Sequence, residues 1–133
     1  MLYMKYKNLL NYREYFAYYY QELYSWVDAQ EIDGVVHKGF PEYHQILLRF
    51  INDVYDSGLL LKSYKRVLSQ TGVKDYDLLI QNADETVLRA ILTHYVRDEH
   101  SNAGLWGRGV RKMCFLRILD RLEELLYMNA VAA

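Results

Sequence analysis

One cysteine and one proline stand in 133 residues, and no apolar run approaches the ~18 residues that a membrane-crossing helix needs. Cys114 therefore has no partner for an internal disulfide, and between Met113 and Phe115 it reads as a small buried hydrophobe, which suits a reducing cytoplasm. Without a proline- or serine-rich linker, a repeat or a low-complexity tract, nothing divides the chain, and residues 1–133 are read as one helical domain. The opening Met1-Leu2-Tyr3-Met4-Lys5-Tyr6-Lys7 lacks the layout of a signal peptide. An excess of charge is missing as well: 16 Lys and Arg against 17 Asp and Glu give a formal net charge of -1. No global field marks a generic nucleic-acid or membrane-surface binder, so any such contact has to be local. There is no Gly-x-Ser-x-Gly, no Walker-type loop and no His-Glu-x-x-His, so no catalytic residue, metal or cofactor is assigned.

What is present is apolar and aromatic. Hydrophobic residues make up 52% of the chain, enough to bury a core without metals or disulfides. Fourteen tyrosines accompany them. Such a surplus lines a core edge, a self-association surface or a binding face, and AT-rich coding composition produces it too.

Leu9, Tyr12, Phe16, Tyr19, Leu23 and Trp26 recur at steps of three and four, which predicts a first helix from about Lys5 to about Ala29. Tyr15, Tyr18, Tyr20 and Tyr24 widen that stripe, so the helix is expected to be sandwiched or to offer a second face to a partner. Residues 30–40, with Asp33-Gly34 and Gly39, read as a loop that holds a short β-branched piece, Val35-Val36. Pro41 then opens a second helix carrying Tyr43, Ile46, Leu47, Phe50, Ile51 and Val54, stopped by Gly58. A shorter helix runs to about Gln70, and one further turn covers Tyr76 to Ile80. Asn82 and Glu85 form a capping pair for the helix that holds Val87, Leu88, Ile91, Leu92, Tyr95 and Val96. A Gly104 to Gly109 loop precedes the closing helix of Phe115, Leu116, Leu119, Leu122 and Leu126, with a fraying tail after it. The expected fold is all-α, a compact bundle of five or six helices.

Pro41, Tyr43, Phe50, Ile51, Tyr55 and Gly58, then Ala83-Asp84, Leu88, Leu92-Thr93, Arg97, Glu99 and Gly104, and finally Ile118-Leu119 and Leu122 carry a family resemblance. Over about residues 35–126 the chain resembles an uncharacterised bacterial family known only as a domain of unknown function. It departs from that family's pattern at Leu61-Lys62-Ser63-Tyr64, in place of an Asp-Trp pair, and at His100-Ser101, in place of Arg-Phe. The resemblance implies a shared fold unit and no mechanism.

The sharpest candidate site is the start of the closing helix. Arg108, Arg111 and Lys112 there oppose the helix dipole, as Glu123 and Glu124 do further along. Gly107 and Gly109 would let backbone approach a ligand, and Trp106 would stack on a base. Arg97 is read as a buried structural arginine ahead of a catalytic one. His94 and Asp98 stand four apart on one helix, a spacing that favours a local hydrogen-bonded pair over a shared metal. His37 and His44 read as surface or capping residues.

The expected function is a non-catalytic interaction module of bacterial or phage origin, such as a phage inhibitor of a host defence system of the anti-CRISPR kind. Its partner is a protein, met through Tyr15, Tyr18 and Tyr20 or through a surface centred on Arg108, with a homodimer as a further arrangement. The competing reading is a nucleotide- or phosphate-binding protein, a sponge or weak hydrolase, using Arg97, Trp106, Arg108, Arg111 and Lys112.

Overall fold

The computed structural model describes residues 2–132, with side chains described from Tyr6 to Met128. Two short helices, α1 (Leu2–Leu9) and α2 (Arg13–Tyr18), are joined and followed by 3-10 turns at Leu10–Tyr12 and Tyr20–Glu22. Four strands come next: β1 (Tyr24–Val27), β2 (Gln30–Ile32), β3 (Val35–His37) and β4 (Phe40–Tyr43). The rest is helical, with α3 (Gln45–Asp56), α4 (Tyr64–Gln70), a 3-10 segment (Tyr76–Asn82), α5 (Glu85–Arg97), a 3-10 turn (Asp98–His100), α6 (Leu105–Arg111) and α7 (Cys114–Ala132).

The all-α expectation is corrected: among the described residues there are seven α-helices and two antiparallel two-stranded sheets. β1 pairs with β4 and β2 with β3, so the four strands form one nested hairpin with its turn at Asp33-Gly34. Both turn residues have positive φ, 51° and 78°, as the central pair of a type I′ turn requires. The first helix, expected to run to about Ala29, breaks into pieces and ends before Tyr24. Tyr24-Ser25-Trp26-Val27 is aromatic and β-branched, and it has Phe40-Pro41-Glu42-Tyr43 to pair with. Trp26, placed on the core stripe by its spacing, is exposed on the hairpin, and Tyr19 is exposed too. Pro41 lies within β4 instead of opening α3. Each strand of a two-stranded pair has an open edge, where a missing N–H costs no ladder bond.

α3 begins instead at His44, whose Nδ1 accepts the Ile46 N–H at 3.1 Å. α5 is capped by Asp84, which accepts the Val87 N–H at 2.8 Å, in place of the expected Asn82. α7 is helical to Ala132, through most of the tail expected to fray, and Ala133 lies outside the described residues.

The core sits where α7 meets α1, α2, α5 and α6 and where α4 packs on α5. Phe16, Phe50 and Phe115 interlock at its centre, with ring centroids 4.8 to 5.6 Å apart. Burying each such ring contributes up to about 3 kcal/mol, which drives the helices together. Arginines then tie loops to helices. Arg89 Nε donates to the Leu59 carbonyl at 2.8 Å, Arg117 to the Asp77 carbonyl at 2.9 Å and Arg121 Nε to the Ala83 carbonyl at 2.9 Å.

Candidate functional site

The residues expected to form a ligand loop are folded into α6. Glu99 organises that helix: its carboxylate accepts the backbone N–H groups of Gly104 and Trp106, each at 2.8 Å, and the hydroxyl of Tyr43 at 2.8 Å. A carboxylate at the start of a helix meets the orphan N–H groups there, so this one side chain stands in for a local cap. Burial, helped by the bond to Glu99, pushes the Tyr43 hydroxyl well above its usual pKa. Trp106 is half-buried: its indole N–H donates to the Val96 carbonyl at 3.1 Å and its ring packs on Tyr43 at 5.3 Å. It is an anchor for the helix, not a free stacking platform.

Gly107 and Gly109 are buried in helix, so the expected approach of backbone to a ligand is corrected as well. A Cβ on Gly107 would run into the ring of Tyr24, and one on Gly109 would come within 2.6 Å of the Phe115 ring. The glycines let α6 lie against the hairpin base and the core. The dipole anomaly disappears with the same correction. Arg108 and Arg111 fall in the last turn of α6 and Lys112 is its C-cap, where positive charge complements the carbonyl end. Arg111 also lies over the Tyr24 ring at 5.7 Å. Far from the start of α7, Glu123 and Glu124 pair with Arg13 and Arg121, each at 2.8 Å.

The remaining expected residues scatter. Arg97 is exposed, and the structural-arginine role falls to Arg89, Arg117 and Arg121. Tyr18 is 78% exposed and Tyr15 is at the surface, whereas Tyr20 is half-buried against the core. The structure thus brings Trp106, Arg108, Arg111 and Lys112 onto one short helix and leaves Arg97 and the tyrosines apart from it.

Two features emerge that the sequence reading passed over. The first is the outer hairpin. Its base is held by Tyr24 stacking on Tyr43 at 5.7 Å and by α6. Beyond that base every residue from Asp28 to Lys38 is exposed, including Ile32 (51%), Val35 (57%) and Val36 (70%). An isolated two-stranded ribbon is marginal in water, so this arm presents apolar side chains and open strand edges with no core behind them. Its signal in the sequence was Asp33-Gly34 between β-branched residues. The second is a cleft of about 520 Å³ lined by Lys74, Tyr76, Asp77, His94, Tyr95 and Arg108, among others. On its wall His94 Nδ1 lies 2.6 Å from Asp98, as the spacing of four implied, and Asp98 also accepts from Tyr64 at 2.6 Å. Burial, with the bond to Asp98, pushes the Tyr64 hydroxyl up to about 12. Behind the wall Tyr95 donates to Asp77, its hydroxyl lies 3.2 Å from Cys114 Sγ, and burial pushes the Cys114 thiol up to about 11, away from any nucleophilic role.

Among the described residues no cluster of three or more His, Cys, Asp or Glu side chains has metal-binding geometry, and no helix is long and apolar enough to cross a membrane. The model of a family of unknown function, DUF6508, matches residues 1–127, and so takes in α1, α2 and the hairpin as well as the later helices. Neither the curated proteins nor the solved structures give a match.

Proposed function

The chain belongs to this family of unknown function, and for it we propose a binding role: a non-catalytic module that engages a protein partner through the projecting hairpin. The observation that carries this reading is the outer hairpin's complete exposure, with Ile32, Val35 and Val36 all more than half exposed. Monomeric proteins blunt such edges with prolines, bulges or a covering element, and exposed apolar edges serve recognition by strand addition. The base of the arm is rigid, because Tyr24, Tyr43 and Glu99 fix it to α6. A rigid base with an uncovered tip lowers the ordering cost of docking.

Charge narrows the partner. Residues 24–43 carry Asp28, Glu31, Asp33 and Glu42 against Lys38 alone. The arm thus suits a protein surface with an apolar or open-edged groove and a basic rim, and it repels the phosphates of a nucleic acid and a second copy of itself. The test is affinity isolation from the native host with the wild-type chain and with Ile32→Ser/Val36→Ser. The reading requires a stoichiometric partner that the wild type retains and the variant loses. Equal recovery by both chains, or a homodimer in light scattering that the variant disrupts, overturns it.

A further inference from the structure

We propose that the arm takes its partner by strand addition on one edge only, the β1–β2 edge, and that the added segment is an extended stretch of a protein in which apolar residues alternate with lysine or arginine. This rests on the arm being the binding element and names what it binds. The two edges of the hairpin are not alike. Lysine and proline on an outer strand are the usual devices that stop a further strand from pairing. The chain's one proline, Pro41, and the one lysine or arginine of residues 24–43, Lys38, both stand on the β3–β4 side. From Tyr24 to Ile32 the other side carries neither.

Hydrogen-bond parity shows which backbone groups face each edge. In an antiparallel pair, opposed residues alternate between exchanging bonds and turning their N–H and C=O outward. At the base the His44 N–H donates to the Leu23 carbonyl at 3.0 Å, and counting from there along the register leaves Trp26 and Pro41 facing outward. Pro41 thus removes the donor that the β4 edge would have shown, whereas Trp26 keeps its N–H and C=O on the β1 edge. At the tip the Asp33-Gly34 turn closes on Ile32 and Val35 as a bonded pair, so Glu31 and Val36 face outward. Outside the ladder no described group bonds the backbone of Trp26 or Glu31, and both residues are exposed. The indole of Trp26 lies against Gly39 and Gly104, which fixes the edge it belongs to. Charge and side-chain direction then define the occupant. Asp28 and Glu31 lie along the open side, with Asp33 at the turn that follows. Glu31 and Ile32 point to opposite faces, so a strand laid beside them sets basic residues next to Glu31 on one face and apolar residues next to Ile32 on the other.

The probe is a synthetic peptide of alternating lysine and valine, compared with its glutamate–valine counterpart and with a lysine–valine peptide methylated on every backbone nitrogen, which has no donor left for a ladder. Each is titrated into the full chain while NMR follows the amides of Trp26, Glu31 and Val36. The lysine–valine peptide should bind, protect the Glu31 amide from exchange and leave the Val36 amide as it was, and the other two should bind weaker by roughly tenfold or more. Glu31→Pro deletes an outward N–H and should weaken binding by roughly tenfold, beyond the effect of Glu31→Gln, which loses the charge and keeps the donor. Val36→Pro makes the same deletion on the opposite edge, keeps an apolar side chain, and should change affinity by less than about threefold. Neither proline costs a ladder bond, circular dichroism checks that both chains stay folded, and the methylated peptide asks the same question of the wild-type chain. Protection of Val36 in place of Glu31, equal losses from the two prolines, equal binding of the methylated or the glutamate peptide, or no binding of the lysine–valine peptide at about 1 mM would overturn the proposal. Ile32→Ser/Val36→Ser separates the edge from the arm: a host partner lost by that variant but retained by Glu31→Pro removes the edge assignment and leaves the arm as the binding element.

Discussion

The hydroxyl of Tyr43, at the end of β4, donates to the carboxylate of Glu99, just after α5, at 2.8 Å. That one bond joins the root of the hairpin to the cap of α6, because the same carboxylate holds the Gly104 and Trp106 N–H groups. Tyr43→Phe should therefore cost about 1–2 kcal/mol and Glu99→Ala about 2–4 kcal/mol, since the second strands three donors. Urea unfolding measures both. A loss below about 0.5 kcal/mol for Glu99→Ala would remove Glu99 from its organising role.

Gly107→Ala has a sign that separates packing from propensity. On an exposed helix the change stabilises by up to about 1 kcal/mol. Here the added methyl meets the Tyr24 ring, so a loss of about 1–3 kcal/mol is expected, with a lowered Tm in calorimetry. A gain in stability would show that α6 does not press on the hairpin base.

Alkaline pH should unfold the protein earlier than chain charge alone would. The hydroxyls of Tyr12 and Tyr64 are pushed up to about 12 from 10.0, by burial first and then by Asp53 and Asp98 respectively. A folded-state pKa above the unfolded one means the native state holds the proton more tightly. The stabilisation is thus intact below pH 10.0 and is lost as pH rises from there through about 12. Unfolding free energies measured across that window should fall with pH, and less steeply in Tyr64→Phe. An unchanged slope in that variant would contradict the Tyr64–Asp98 geometry.

Cys114 should resist alkylation in the folded protein. It is fully buried, and its thiol is pushed up to about 11 from 9.0, chiefly by burial. Iodoacetamide near pH 8 should label it only in denaturant, a contrast mass spectrometry reads directly. Prompt native labelling would mean that the core around Tyr95 opens.

The helices that carry unbroken apolar stripes were legible from sequence. α3 shows Leu47, Phe50, Ile51 and Val54 at helical spacing, all buried, and α5 and α7 bury most of theirs, with Val87, Leu116 and Leu126 partly buried at the margin. Two places were not legible, each for a physical reason. Trp26 fits a three-and-four spacing by coincidence, and strand pairing with β4 outweighed it, because cross-strand partners 13 to 19 residues along the chain do not register in a local period. α6 was hidden because its glycines look like loop formers, while the groups that explain them, Tyr24, Phe115 and the capping Glu99, are brought near only by folding. The His94–Asp98 pair was readable because both members sit on one element at a helical step. The cleft beside it was not, since Lys74 and Arg108 meet there from separate segments.

The most direct test of the hairpin as the partner-binding arm is amide hydrogen exchange on residues 28–39, compared between the free chain and its isolated complex. The account predicts fast exchange in the free protein, where those strands have no core behind them, and strong protection in the complex. Unchanged exchange there, with protection gained at Tyr15 and Tyr18 or along α6 instead, would contradict it.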